Sequence, residues 1–95
     1  MKRIKEKLQE VSRFSLIKKG DRGQSVEEIQ IMLNLVSKNQ LIVDGDFGTK
    51  TLAAVIAFQK KYKLDPDGIV GQLTYARLIQ ANRNKARKVI KYKIE

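Results

Sequence analysis

Asp44, Asp46, Asp65 and Asp67 are the residues whose type and spacing first suggest chemistry. A carboxyl pair held roughly 5–9.5 Å apart across a deep cleft is the apparatus of glycoside hydrolysis. Aspartates clustered on loops are also the material of a calcium site. The rest of the sequence argues against both. The chain has 95 residues with no histidine and no cysteine, so a Ser/His/Asp triad, a thiolate nucleophile, an imidazole proton shuttle and a sulfur-ligated zinc are all excluded. The D-x-D-x-D-G…E ladder of a calcium-binding helix-loop-helix is missing, and one small domain has little room for a hydrolytic cleft. The expectation is of no enzyme, no metal and no cofactor.

What the aspartates share is a frame. Asp44-Gly45-Asp46-Phe47-Gly48-Thr49-Lys50-Thr51 aligns with Asp67-Gly68-Ile69-Val70-Gly71-Gln72-Leu73-Thr74 at a constant offset of 23 residues. Both read Asp-Gly-x-apolar-Gly-x-x-Thr, and both open a helix. A second repeat overlaps the first, Val26 to Gln30 and Val55 to Gln59, each Val-x-x-apolar-Gln. Asp-Gly tightens a turn through the Asp side chain and a glycine free of steric restriction. Phe47 and Val70 are expected to plug the loops into the core. Thr51 and Thr74 fall in a first helical turn, where they can serve unpaired amides. Gln30 and Gln59, at apolar-face positions, are expected to satisfy buried loop backbone.

Three helices position these loops. Val26, Ile29, Leu33 and Val36 form one stripe over about 25–37, opened by a capping box in which Ser25 and Glu28 serve each other's amides. Leu52, Val55, Phe58 and Tyr62 mark a second helix over about 50–63, with Ala53, Ala54 and Ala57 permitting close approach. Lys18 to Gly23 and Leu64 to Gly68 read as turns. A third helix over about 72–82 is expected to bury Ala76 and Ile79, with Leu73 or Leu78. Ile4, Leu8 and Val11 give residues 1–14 an amphipathic helical pattern that calls for a partner surface. In the tail, Ile90, Tyr92 and Ile94 alternate with lysines as in a strand, while Ala86 and Val89 allow the helix to continue; the pattern leaves both open.

Net charge is +10, and it lies at the ends. Residues 1–19 hold seven basic residues against Glu6 and Glu10, and residues 83–95 hold six against Glu95, while the centre is neutral. Such arms either grip a polyanion, with Lys85, Arg87, Lys88, Lys91 and Lys93 as candidate contacts, or are solvated ends. Nucleic acid is the weaker partner: the neutral centre offers no basic recognition helix, and the aromatic residues fall mostly at core spacing. No apolar run approaches the ~20 residues of a membrane span. Lys5, Glu6 and Lys7 interrupt any signal-peptide core, so the expectation is non-Sec release or an excised domain.

Gly20-Asp-Arg-Gly23-x-x-Val26-x-x-Ile29-Gln30-x-x-Leu33-Asn34, followed by the two Asp-Gly loops with Ala54-Val55-x-x-Phe58-Gln59 and Thr74-Tyr75-x-x-Leu78, resembles the peptidoglycan-binding domain of bacterial and phage wall hydrolases. The likeness runs from about Leu16 to Leu78. It implies an all-α, compact three-helix bundle with two pseudo-repeated Asp-Gly loops, here with an extra N-terminal amphipathic helix and a basic C-terminal tail. The domains are then 1–15 (basic arm), 16–82 (peptidoglycan-binding-like) and 83–95 (basic tail). Thr49 and Gln72 stand where such domains often carry proline, and Tyr75 where tryptophan is frequent. The implied function is non-catalytic binding of peptidoglycan, anchoring a hydrolase or cell-puncturing assembly at the wall, in the cell wall, the periplasm or a phage virion. A structural subunit of a phage tail or baseplate is the alternative. Wall glycan and stem peptides present hydroxyls, amides and carboxylates. The candidate ligand-binding residues are Asp44, Gly45, Asp46, Gly48, Thr49, Lys50 and Thr51 in the first loop, and Asp67, Gly68, Gly71, Thr74 and Tyr75 in the second. Lys50 is the candidate partner for a carboxylate, with helix N-termini adding to it.

Overall fold

The computed structural model describes residues 15–94, and the side chains of residues 15–85. Three helices make up the fold: α1 (Gln24–Ser37), α2 (Thr49–Lys61) and α3 (Gln72–Ile94). The amphipathic segment 1–14 lies outside the described residues.

Helix α1 buries Val26, Ile29, Gln30 and Leu33, the i, i+3, i+4, i+7 set of a single helical face. Its start differs from the expected capping box. The helix begins at Gln24, Ser25 is exposed inside the first turn, and no side chain caps it. Gly23 takes over that task. Its carbonyl accepts from the Val26 and Glu27 amides at 3.2 Å, while its own amide donates to the Gly45 carbonyl at 2.9 Å. That double engagement holds Gly23 at φ 131°, a conformation suited to glycine. The helix ends at Lys38 in the left-handed region, where the Asn39 carboxamide donates to the Leu33 carbonyl at 3.2 Å.

Helix α2 buries Thr51, Ala54, Val55, Phe58 and Gln59. Of its alanines only Ala54 faces inward; Ala53 and Ala57 are exposed, contrary to the expectation of close approach there. The helix stops at Lys61 rather than 63 because Lys63 turns to φ 58° and the Leu64 amide folds back onto the Gln59 carbonyl at 2.8 Å. Lys60 and Lys61 in the last turn complement the helix dipole.

Helix α3 turns inward only part of the face that its apolar residues suggested, Leu78 among them. Thr74, Leu78 and Ala81 are buried, Ile79 is half-buried, and Leu73 and Ala76 are exposed. The orientation follows from Thr74, whose hydroxyl accepts from Gln59 at 3.1 Å; fixing that residue carries 78 and 81 to the core by helical spacing. The helix also runs to Ile94 instead of ending near 82, so the backbone of the basic tail is helical. Residues 83–94 contain neither glycine nor proline and are rich in Lys and Arg, which favour helix.

The core is one cluster: Val26, Ile29 and Leu33 from α1, Phe47 and Val70 from the loops, Ala54, Val55 and Phe58 from α2, Leu78 and Ala81 from α3. Both loop plugs are buried as expected. A strap ahead of α1 ties the two loops together. Ile17 exchanges both backbone hydrogen bonds with Val70, at 3.1 and 2.8 Å. Gly20 donates to the Phe47 carbonyl and the Phe47 amide donates to Asp21, each at 3.0 Å. Among the described residues, no helix is long and apolar enough to cross a membrane.

Gly45 has φ +73°, and a Cβ there would lie 3.0 Å from the Gly23 carbonyl oxygen. Gly48 has φ −102° with open space around a Cβ. Gly45→Ala should therefore destabilise by about 1–3 kcal/mol, whereas Gly48→Ala should stay within about 1 kcal/mol of the parent. Urea denaturation of the two variants measures the contrast.

Candidate functional site

The two Asp-Gly loops are built around a buried carboxamide each. Gln30 Nε2 faces the Asp44 carboxylate, the Asp46 carbonyl and the Thr51 hydroxyl, each at 3.1 Å. Its Oε1 accepts from the Asp44 and Gly45 amides at 3.1 and 3.0 Å. Gln59 repeats the pattern. Its Nε2 faces the Asp67 carboxylate and the Ile69 carbonyl at 3.0 Å and the Thr74 hydroxyl at 3.1 Å, and its Oε1 accepts from Gly68 at 2.9 Å. Each aspartate also closes its own turn, Asp44 accepting from the Asp46 amide and Asp67 from the Ile69 amide, both at 2.9 Å. Gln30 and Gln59 thus do satisfy loop backbone. Thr51 and Thr74 do not cap helix amides as expected, because their hydroxyls are the acceptors that complete the glutamine networks.

This scaffold sorts the sequence candidates. Gly45 and Gly68 are buried against the glutamines, and Thr51 and Thr74 are buried with their hydroxyls engaged. Tyr75 is half-buried and packs against the core. The remaining loop candidates fall into two grooves related by the repeat. The first, about 310 Å³, is lined by Gln30, Gln40, Leu41, Ile42, Asp44, Asp46, Gly48, Thr49, Lys50 and Thr51. The second, about 480 Å³, is lined by Leu16, Leu64, Asp65, Asp67, Ile69, Gly71, Gln72, Leu73 and Thr74. Their chemistry differs where the repeat is not constrained: Lys50 of the first corresponds to Leu73 of the second. Lys50 stands in the first turn of α2, at the positive end of the helix dipole.

In the first groove the Asp46 amide, then the Gln30 carboxamide, donates to the Asp44 carboxylate, and together they hold its pKa below the usual carboxylate range against a smaller opposing effect of burial. Asp44 is therefore a turn-forming anion rather than a proton donor near neutral pH. Arg22 approaches Asp46 at 3.7 Å with both side chains largely exposed, a contact of little energetic weight.

Three features escaped the sequence reading. Asn34 clamps the connection to the first groove, donating to the Leu41 carbonyl at 2.9 Å and accepting from its amide at 2.8 Å. Leu41 and Ile42 become groove walls because of that clamp; an Asn on the inner side of a helix facing a short linker was the available signal. The strap pairing of Ile17 and Val70 left no periodic trace. Lys85 donates to the Leu35 carbonyl at the end of α1, which gives that candidate polyanion contact an internal partner. Arg87, Lys88, Lys91 and Lys93 lie on the last turns of α3, beyond the described side chains.

A family model described as "Putative peptidoglycan binding domain" matches residues 22–78. An uncharacterized protein of Kitasatospora aureofaciens is 47% identical over 64 residues, covering 66% of this chain and 54% of its own length. The zinc D-Ala-D-Ala carboxypeptidase of Streptomyces albus G is 38% identical over 66 residues, covering 67% of this chain and 26% of its own. The chain thus spans about half of the first curated relative and about a quarter of the second. The crystal structure of the SleB N-terminal domain superposes with a TM-score of 0.69 at 35% identity, over 72% of this chain and 93% of that one.

Two outcomes test the network. Gln59→Leu keeps the volume but strands the Gly68 amide and three acceptors, and should destabilise by about 2–4 kcal/mol in chemical denaturation. Asp44 is ionised more readily in the folded chain, so its contribution is complete above the ordinary carboxylate pKa and is lost as pH falls through the lowered folded value. Asp44→Asn keeps an acceptor oxygen without titrating. Its stability should fall less steeply than the parent's below about pH 4, measured by denaturation across a pH series.

Proposed function

We infer the function from this premise: the chain belongs to the peptidoglycan-binding domain family, whose model covers residues 22–78. It is a non-catalytic module that binds peptidoglycan, with the first-repeat groove as the binding surface. The observation that carries the assignment to this groove is the exposed cation among its lining residues, Lys50, at the start of α2 beside a concave wall of Leu41, Ile42 and Thr49. Stem peptides end in carboxylates, and a lysine at a helix N-terminus attracts an anion with both its own charge and the dipole. Ile42, 76% exposed, offers an apolar surface to the face of a sugar or alanine methyl. Asp46, Gly48 and the Thr49 hydroxyl supply hydrogen-bonding groups for amide and acetamido functions.

Asp44 cannot double as an acid catalyst while both its turn and Gln30 hold it ionised. A wall-binding module of this size serves by holding something else at the wall. The partner is a cell-wall hydrolase, in the same polypeptide or in an assembly with it, working outside the cytoplasm. The name of the carboxypeptidase relative, which acts on D-Ala-D-Ala, supports that reading.

Co-sedimentation with purified insoluble peptidoglycan tests it. Lys50→Glu should weaken pelleting about three- to tenfold at low salt, the effect of reversing one charge at an exposed polar contact, while leaving the denaturation midpoint unchanged. Full-strength pelleting of that variant would remove the first groove from the account.

A further inference from the structure

Charge is segregated within the described residues. Every aspartate and glutamate among them lies in the turn before α1, in the first turns of α1 or around the Asp-Gly loops, and none falls on α2 or α3. Away from those loops the three helices meet at a third groove. Val36 of α1, Tyr62 at the end of α2, and Ala81, Asn84 and Lys85 of α3 line about 380 Å³. Tyr62 is its centre. Phe58 and the Arg77 guanidinium each lie 4.6 Å from the ring centroid, and the Lys61 ammonium lies at 5.7 Å. We propose that this groove, with Lys61, Arg77 and Lys85 around it, binds a phosphodiester polymer of the cell wall, a polyol chain with one negative charge per link.

None of the three cations forms an ion pair: among the described residues that contact is made by Arg22 with Asp46, on the first loop. Helix dipoles account for part of the cluster. Lys61 closes α2, and Lys85 donates to the Leu35 carbonyl near the end of α1, both places where a cation is favoured. That bond leaves further donors on the Lys85 ammonium. Arg77 is different. It stands in the second turn of α3, where the dipole offers it nothing, and rests on the Tyr62 ring and the Gln80 carboxamide. Three unneutralised cations around one groove make a field that attracts an anion.

The lining selects among polyanions. The Tyr62 ring is already engaged by Phe58, Arg77 and Lys61, which removes it as a stacking platform for nucleobases. None of the large exposed apolar residues lines the groove, so it lacks the apolar face that enters a membrane surface. Between the cations stand Val36, Ala81 and Asn84. Neutral walls of that kind suit a chain whose charges are separated by neutral polyol links. That the polymer belongs to the wall rests on the peptidoglycan-binding reading; the recognition of its charge does not.

Soluble poly(glycerol phosphate), titrated into the isotope-labelled full chain, tests the proposal. Amide NMR shifts should saturate at Val36, Tyr62, Arg77 and Asn84, with Ile42 and Lys50 of the first groove unmoved. Lys61→Gln combined with Lys85→Gln should weaken binding about tenfold at low salt, the loss of two exposed charge contacts. Lys18→Gln combined with Lys19→Gln removes the same charge from the strap and should stay within about twofold of the parent. Equal weakening of the two double variants would reduce the binding to net charge and overturn the proposal. So would shifts centred on the first groove, no shifts at all, or an equal response to poly(glutamate). Peptidoglycan stripped of phosphodiester polymers should pellet the Lys61→Gln, Lys85→Gln variant in full. A failure of the wall-binding reading therefore appears in that pelleting assay, and a failure of this one in the titration.

Discussion

A primary carboxamide buried in a hydrocarbon core is tolerated only when its polar groups are paired. Gln30 and Gln59, 1% and 0% exposed, impose that condition at two places. The partners they need are a carboxylate, a carbonyl, a hydroxyl and one or two amides, arriving from one direction. An Asp-Gly-x loop followed by a threonine one turn into a helix supplies them all. The loop therefore folds as it does because the glutamine beneath it has no other partners. The positive φ of Gly45 and Gly68 and the inward face of α3 follow from the same condition.

Because the condition occurs twice, the scaffold occurs twice, and the residues it engages match across the repeat: Asp44 with Asp67, Gly45 with Gly68, Thr51 with Thr74. Positions whose side chains it does not engage have diverged. Asp46 corresponds to Ile69, Thr49 to Gln72, and Lys50 to Leu73. The glutamine network is thus carried by one set of residues of the eight-residue motif, and the groove linings differ at the others. One groove carries a cation, Lys50, among its lining residues. The other presents leucine beside aspartate.

The Asp-Gly repeat, the glutamine roles and the burial of Phe47 and Val70 were legible in the sequence because each is set by local spacing. Helix α1 was legible from its stripe, though its start was misread. Ser25 and Glu28 fit a capping box in isolation, and only the long-range pairing of Gly23 with Gly45 moves the cap upstream. The buried face of α3 was legible only in part: Leu78, one of the two leucines the spacing offered, is buried and Ile79 half-buried, while Ala76 is exposed. Leu73, Ala76 and Ile79 are more apolar than Thr74, but the hydroxyl of Thr74 is fixed by a residue 15 positions away. Of the site, the residue types were legible and the division into two grooves was not. That division depends on where Leu16 and Leu41 are brought by the strap and by Asn34.

The central claim is that the glutamine-braced first loop, with Lys50 at its exit, is the surface that meets peptidoglycan. The most direct measurement is an amide NMR titration of the full chain with a soluble muropeptide bearing a free stem-peptide carboxylate. The account predicts saturable shifts at Ile42, Asp46, Gly48, Thr49 and Lys50, with Ile69 to Leu73 unchanged. Shifts centred on the second loop or on the basic helix beyond Arg83, with the first groove silent, would contradict it.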